Sequence, residues 1–163
     1  MRTFRRFFPL LGFSLGSAVF AADAVVGHAR LPVPDGWSVA ERTSDRVTLK
    51  SESKAQSITL SSLVFGTVPT IEEFTKLCRH RMDAERKGAP NAFIEEGEPI
   101  RISDSLVFLY SGGDKQSGRI FSGQLLLAGK QLTTTYLESS GIDPKSHLAL
   151  FSALVGSLKV STK

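Results

Sequence analysis

TIEEFTKLCRHRMDAERKG, Thr70 to Gly88, interrupts a chain otherwise written largely in period two. Thr70 followed by Glu73 has the form of a capping box, and Glu72 and Glu73 complement the positive end of a helix dipole. Gly88 is a stop and Pro90 seals it. At about 100° per residue, Ile71, Phe74, Leu77, Cys78 and Met82 share one stripe. The spacing therefore predicts a helix that lays its apolar side on a neighbouring layer. The same geometry separates Cys78, the sole cysteine, from His80, which points to the wet side among Arg79 and Glu73. The two cannot form a thiol–imidazole pair. A cysteine in an apolar stripe behaves as a small hydrophobe with a suppressed thiolate.

Working outward, three strands precede this helix. HARLPVPDGWSV is an extended lead-in that turns at Asp35-Gly36 into a strand at Trp37. RVTLKS (Arg46–Ser51) and QSITLSSLVF (Gln56–Phe65) alternate and are rich in β-branched residues. After the helix, AFIEEGEPIRIS is interrupted by Gly97 and Pro99 and reads as an edge or bulged pair. SLVFLYS, RIFSGQLLLA and QLTTTYLES are further strands, the last two joined by a two-residue turn at Gly129-Lys130. Asp143 as N-cap and Pro144 at the first helical position open a closing helix with Leu148, Phe151, Leu154, Val155 and Leu158 on one face. The order β-β-β-α-β-β-β-β-α predicts an α+β domain, a central antiparallel sheet with flanking helices.

The chain has 163 residues, a formal net charge of +4 and a pI near 9.4. That basicity is concentrated at the start. MRTFRRFFPLLGFSLGSAVFAADA has a basic n-region (Arg2, Arg5, Arg6), a short apolar run and small residues, the form of a secretory signal with cleavage expected after Ala21 or Ala24. Residues 25–163 then make one domain. Removing residues 1–24 leaves 17 basic against 15 acidic residues, a net of +2. No remaining segment clusters Lys and Arg with aromatics, so no nucleic-acid partner is expected. No cysteine follows the apolar run, so a lipid anchor is not expected, nor is stable membrane insertion after cleavage. One cysteine also excludes an intrachain disulfide. These features predict a periplasmic protein held together by packing.

Chemistry-bearing motifs are sparse. GFSLG (Gly12–Gly16) spells a nucleophile elbow but lies inside the signal. SGGDKQSGR (Ser111–Arg119) resembles a phosphate loop but joins two strands and lacks the Lys-Ser/Thr that such a loop needs. His28, His80 and His147 have no ligand partner at helical spacing, so neither a metal nor a cofactor is expected. His80 and His147 are expected to face solvent. No Ser/His/Asp set assembles in sequence. The remaining candidates are exposed loops: Glu95, Glu96 and Glu98 as an acidic patch, and Asp114, Lys115 and Gln116 at a polar hairpin tip.

Pro34-Asp35-Gly36-Trp37, the helix around Ile71–Met82, Thr135-Tyr136 and Phe151…Ser157-Leu158-Lys159, in this order of elements, resemble the PsbP-like fold. That fold is shared by the photosystem II extrinsic subunit, a Ran-binding nuclear protein and bacterial DcrB-type proteins. The resemblance spans nearly the whole mature chain and rests on structural residues. It implies an α/β/α sandwich and a non-enzymatic binding or assembly role, its bacterial relatives including adaptors of toxin-secretion systems and immunity-type proteins. The expected partner is another protein, most concretely a cognate secreted effector occluded by exposed loops. A small-ligand or lipid-binding protein using a sheet–helix cleft is the alternative.

Overall fold

The computed structural model describes residues 23–53 and 55–161. The signal-like segment up to residue 22, and with it Ala21, lies outside the described residues. Eight strands form the main sheet: β3 (Trp37–Arg42), β4 (Arg46–Ser51), β5 (Gln56–Val64), β6 (Phe93–Glu96), β7 (Ile100–Ile102), β8 (Ser105–Asp114), β9 (Arg119–Ala128) and β10 (Gln131–Ser140). Their order is β3-β4-β5-β10-β9-β8-β6, with β7 also paired to β8, and every pairing is antiparallel. The expected α+β class and central antiparallel sheet are present.

Three short strands depart from the sequence reading. Residues read as signal end and extended lead-in form β1 (Asp23–Val26) and β2 (Ala29–Pro32), an antiparallel hairpin turning at Gly27, whose φ is +57°. β11 (Lys159–Val160) adds to β2 and completes a separate three-stranded sheet. The motif was hidden because its strands are very short, and one is assembled from the far end of the chain.

Helix α1 (Ile71–Gly88) starts at the predicted box. Thr70 Oγ1 accepts from the Glu73 amide at 3.2 Å, and Glu73 Oε2 accepts from the Thr70 amide at 2.8 Å. Its buried residues are Phe74, Cys78, Met82 and Glu85, packed with Phe108, Tyr110, Phe121 and Leu125 of the sheet. Helix α2 (Pro144–Ser157) is capped by Asp143, which accepts from the amides of Lys145 and Ser146. It buries Phe151 and Leu154 with β1, β2, β4 and β5 in a second core. Side chains alternate across a strand, so these two cores lie on opposite faces of the main sheet. The sandwich is α1, then the main sheet, then α2 with the small sheet.

Glycine makes room for rings on the α1 side. A Cβ on Gly123 would stand 2.1 Å from the Tyr110 ring, and one on Gly112 would stand 2.5 Å from Phe121. Gly123 lies opposite both Tyr110 and Tyr136 in register. The rings therefore lie flat across the strands, where α1 can rest on them.

Candidate partner-binding margin and the polar sites beside it

β6 and β7 form one edge of the main sheet. Phe93 stands opposite Gly113, Glu95 opposite Ser111, Ile100 opposite Val107 and Ile102 opposite Ser105. These β8 residues are an odd number apart from none of the others, so all four side chains share one side. It is the α2 side, because Ser111 pairs with Ser122, which contacts α2. A helix about 10 Å wide covers two or three strands spaced about 4.8 Å apart, and α2 sits over β9, β10 and β2. The margin lies beyond it. Phe93, Ile100 and Ile102 are 64, 50 and 54 % exposed, spread over about 27 Å at roughly 3.4 Å per residue of β8.

The six acidic and loop candidates separate on this frame. Glu95 is exposed on the margin itself, and Glu98 is exposed in the Gly97–Pro99 break between β6 and β7. Glu96 points to the other side and pairs with Arg86 of α1 at 3.1 Å, so it braces the helix and leaves the patch. Asp114 turns into its own loop, accepting from the Gln116 amide and the Ser117 hydroxyl, each at 2.9 Å. Those bonds hold its carboxyl below the usual range. Lys115 and Gln116 remain exposed at the tip. Glu96 opposes Tyr110, four residues along β8 from Asp114, about 13 Å away. The two loops do not merge into one cluster.

Cys78 is 2 % exposed, and burial pushes its thiol up to about 12. His80 is exposed as expected. The expectation for His147 is wrong: it is fully buried. Its Nδ1 lies 2.8 Å from Ser139 Oγ and its Nε2 3.0 Å from Ser122 Oγ, which fixes α2 across β9 and β10. Burial lowers its pKa, so the neutral ring donates to one hydroxyl and accepts from the other. Conversely Leu148, assigned to the buried face, is 51 % exposed. His147, Phe151 and Leu154 stand at i, i+4 and i+7, so the correct stripe was legible in the spacing.

A second polar group pins α1. Arg81 Nε donates to Tyr110 Oη at 2.8 Å, Tyr110 Oη donates to Glu85 Oε1 at 3.3 Å, and Arg81 pairs with Glu85. The Arg81 guanidinium also lies 5.1 Å from the centre of the Tyr136 ring. Tyr136 Oη accepts from Arg119 Nη2, which also pairs with Glu138 at 2.8 Å. Desolvation raises both phenol pKa values. Each cation has its own carboxylate, so the array is a neutral brace. Glu85 follows Cys78 by seven and Met82 by three, again a readable stripe position. Among the described residues no group of three or more His, Cys, Asp or Glu could hold a metal ion, and no helix is long and apolar enough to cross a membrane.

Neither a family model nor a curated protein matches the sequence. Solved structures do. The solution structure of cyanobacterial PsbP (CyanoP) from Synechocystis sp. PCC 6803 is similar with a TM-score of 0.68 at 13 % identity, covering 93 % of this chain and 99 % of that one. A crystal structure from Bacteroides thetaiotaomicron is similar with a TM-score of 0.50 at 9 % identity, over 83 % of this chain and 46 % of that chain. The fold is PsbP-like. Identity this low carries the fold alone.

Proposed function

We propose that this protein is an exported, non-enzymatic protein-binding module of the periplasm, most concretely an immunity or accessory protein that occludes a secreted effector. The observation that carries this reading is the β6–β7 margin: three large hydrophobic side chains exposed on one side of a sheet edge, with Glu95 and Glu98 among them. Exposed apolar groups set along one sheet edge with charges between them are the kind of surface a partner covers. Gly97 and Pro99 interrupt the edge, which disfavours addition of a partner strand. Docking is therefore through the side chains, with Phe93 as the aromatic anchor and the two glutamates meeting a basic rim. The PsbP-like fold is compatible with such a role, and the relatives named by the sequence resemblance suggest it.

The test is a titration of the exported protein against the activity of its effector. Binding predicts protection that saturates near equimolar protein. Protection by a small sub-stoichiometric fraction, with a modified effector accumulating, would replace this reading with an enzymatic one.

A further inference from the structure

The apolar rows that begin at Ile100 and Ile102 do not end at the margin. Ile102 stands opposite Ser105, and Ser105 opposite Ala128; Ile100 stands opposite Val107, and Val107 opposite Leu126. Both rows lie on the α2 side and cross β8 onto β9, about 10 Å at two strand spacings. There Leu126 and Ala128 floor a cavity of about 450 Å³, a volume in the range of small-ligand sites. Val160 is one wall. It pairs with buried Ala29, so β11 turns it inward and turns Lys159 outward with Arg30. Ser103 and Asp104 of the β7–β8 turn, with Ser105, form the rim.

Two features of the rim point to what the cavity takes. Among the described residues that line it, Asp104 alone is charged, and it is exposed. Arg101 pairs with Leu106 and so is turned to the α1 side, and Lys130 is exposed at its hairpin tip, outside the lining. Ser103 has a φ of +51° and is the one non-glycine residue at positive φ among the described residues. It is the first of two turn residues between Ile102 and Ser105, a position that type II′ hairpins give to glycine. Strain of this kind clusters at ligand sites. The inference rests on the protein-binding reading above: we propose that this cavity seats one basic side chain of the effector, an arginine above all. Its methylenes lie on Leu126, Ala128 and Val160. The guanidinium stays at the mouth and donates to the Asp104 carboxylate and the Ser103 and Ser105 hydroxyls. Because Asp104 is exposed, the pair forms at a wet rim and avoids the cost of burying charge. Arginine is among the residues enriched at interface anchors, and it matches Glu95 and Glu98, so margin and cavity face the same basic surface. An acidic side chain would meet Asp104 at the mouth, and a purely apolar one would leave the polar rim unused.

The experiment has two arms. In the first, amide NMR of the exported protein follows titration with N-acetyl-argininamide, with N-acetyl-leucinamide as the neutral probe. Argininamide should give saturable shifts at Ser103–Ser105, Leu126–Gly129 and Val160. Asp104→Asn, a change at an exposed position, should weaken binding roughly threefold, the worth of one exposed ion pair. Shifts that stay linear in concentration, or an equal response to leucinamide, overturn the proposal. The second arm is capture from an envelope extract with wild-type and Asp104→Lys baits. Retention should fall roughly tenfold with Asp104→Lys at unchanged Tm, since reversal adds repulsion to the lost pair. A partner held equally by both baits overturns the proposal and leaves the occlusion reading in place. Saturable argininamide binding with no protein held by either bait overturns that reading and leaves the cavity its basic ligand.

Discussion

At the residue scale, His147 carries the sharpest consequence. The imidazole of an unfolded chain titrates near 6.5, and burial lowers the folded value. Between the two values the unfolded state binds more protons, so this contribution to stability is complete above about pH 6.5 and is lost as pH falls toward the folded pKa. Tm measured from pH 7.5 to 5 should therefore decline, and His147→Gln should flatten that decline. His147→Ala strands the Ser122 and Ser139 hydroxyls and should cost about 2–3 kcal/mol in denaturant unfolding. A neutral effect would mean that the ring is not the bridge between α2 and the sheet. Cys78 should react with a thiol reagent only slowly in the folded protein and rapidly after unfolding, since the thiolate is suppressed and the sulfur is covered. Rapid native labelling would place it outside the core.

At the element scale, the rings lying over Gly112 and Gly123 decide how α1 seats. Gly123→Ala drives a methyl into Tyr110 and should cost about 3 kcal/mol, the upper part of the overpacking range. Gly66→Ala, with nothing near its Cβ, should be close to neutral in the same unfolding assay; equal costs would refute the steric account. The hairpin of β1 and β2 makes a second claim. Ala24 is fully buried and pairs with Leu31, so cleavage after Ala24 would remove half of β1, whereas cleavage after Ala21 leaves it whole. Intact-mass analysis of exported protein should find Ala22 first, and Val25 first would contradict this. Elements with strong local chemistry were legible: the Thr70–Glu73 box, the Asp143-Pro144 start, the Gly129-Lys130 turn and strands β3 to β5. The small sheet was not, because two- to four-residue strands carry no periodic signal and β11 pairs with β2 across most of the chain. The site was half legible. Charge marked Glu95 and Glu98, but Glu96 looked identical until β6 alternation turned it toward Arg86, and Phe93, Ile100 and Ile102, on a segment read only as an edge or bulged pair, were not singled out, because only the width of the covering layer exposes them.

At the scale of the whole molecule, one helix and a small sheet cover the α2 side of the main sheet incompletely: the β6–β7 margin stays open, as do Val39 on β3 and Val64 at the end of β5. On the proposed reading the margin's two charged groups would act by long-range attraction. Reversing Glu95 and Glu98 to Lys should slow association with a basic-rimmed partner, and the difference should shrink as salt rises and screening shortens; Glu96→Lys should instead loosen α1 at Arg86. Affinity should reside in the apolar groups, which are exposed and so dispensable for folding. The direct measurement is quantitative capture from an envelope extract with the exported protein as bait, wild type against Phe93→Asp/Ile102→Asp, with Tm recorded for both. The account predicts one protein retained near equimolar by the wild type and reduced at least tenfold by the double variant at unchanged Tm. Equal retention by both baits would contradict it.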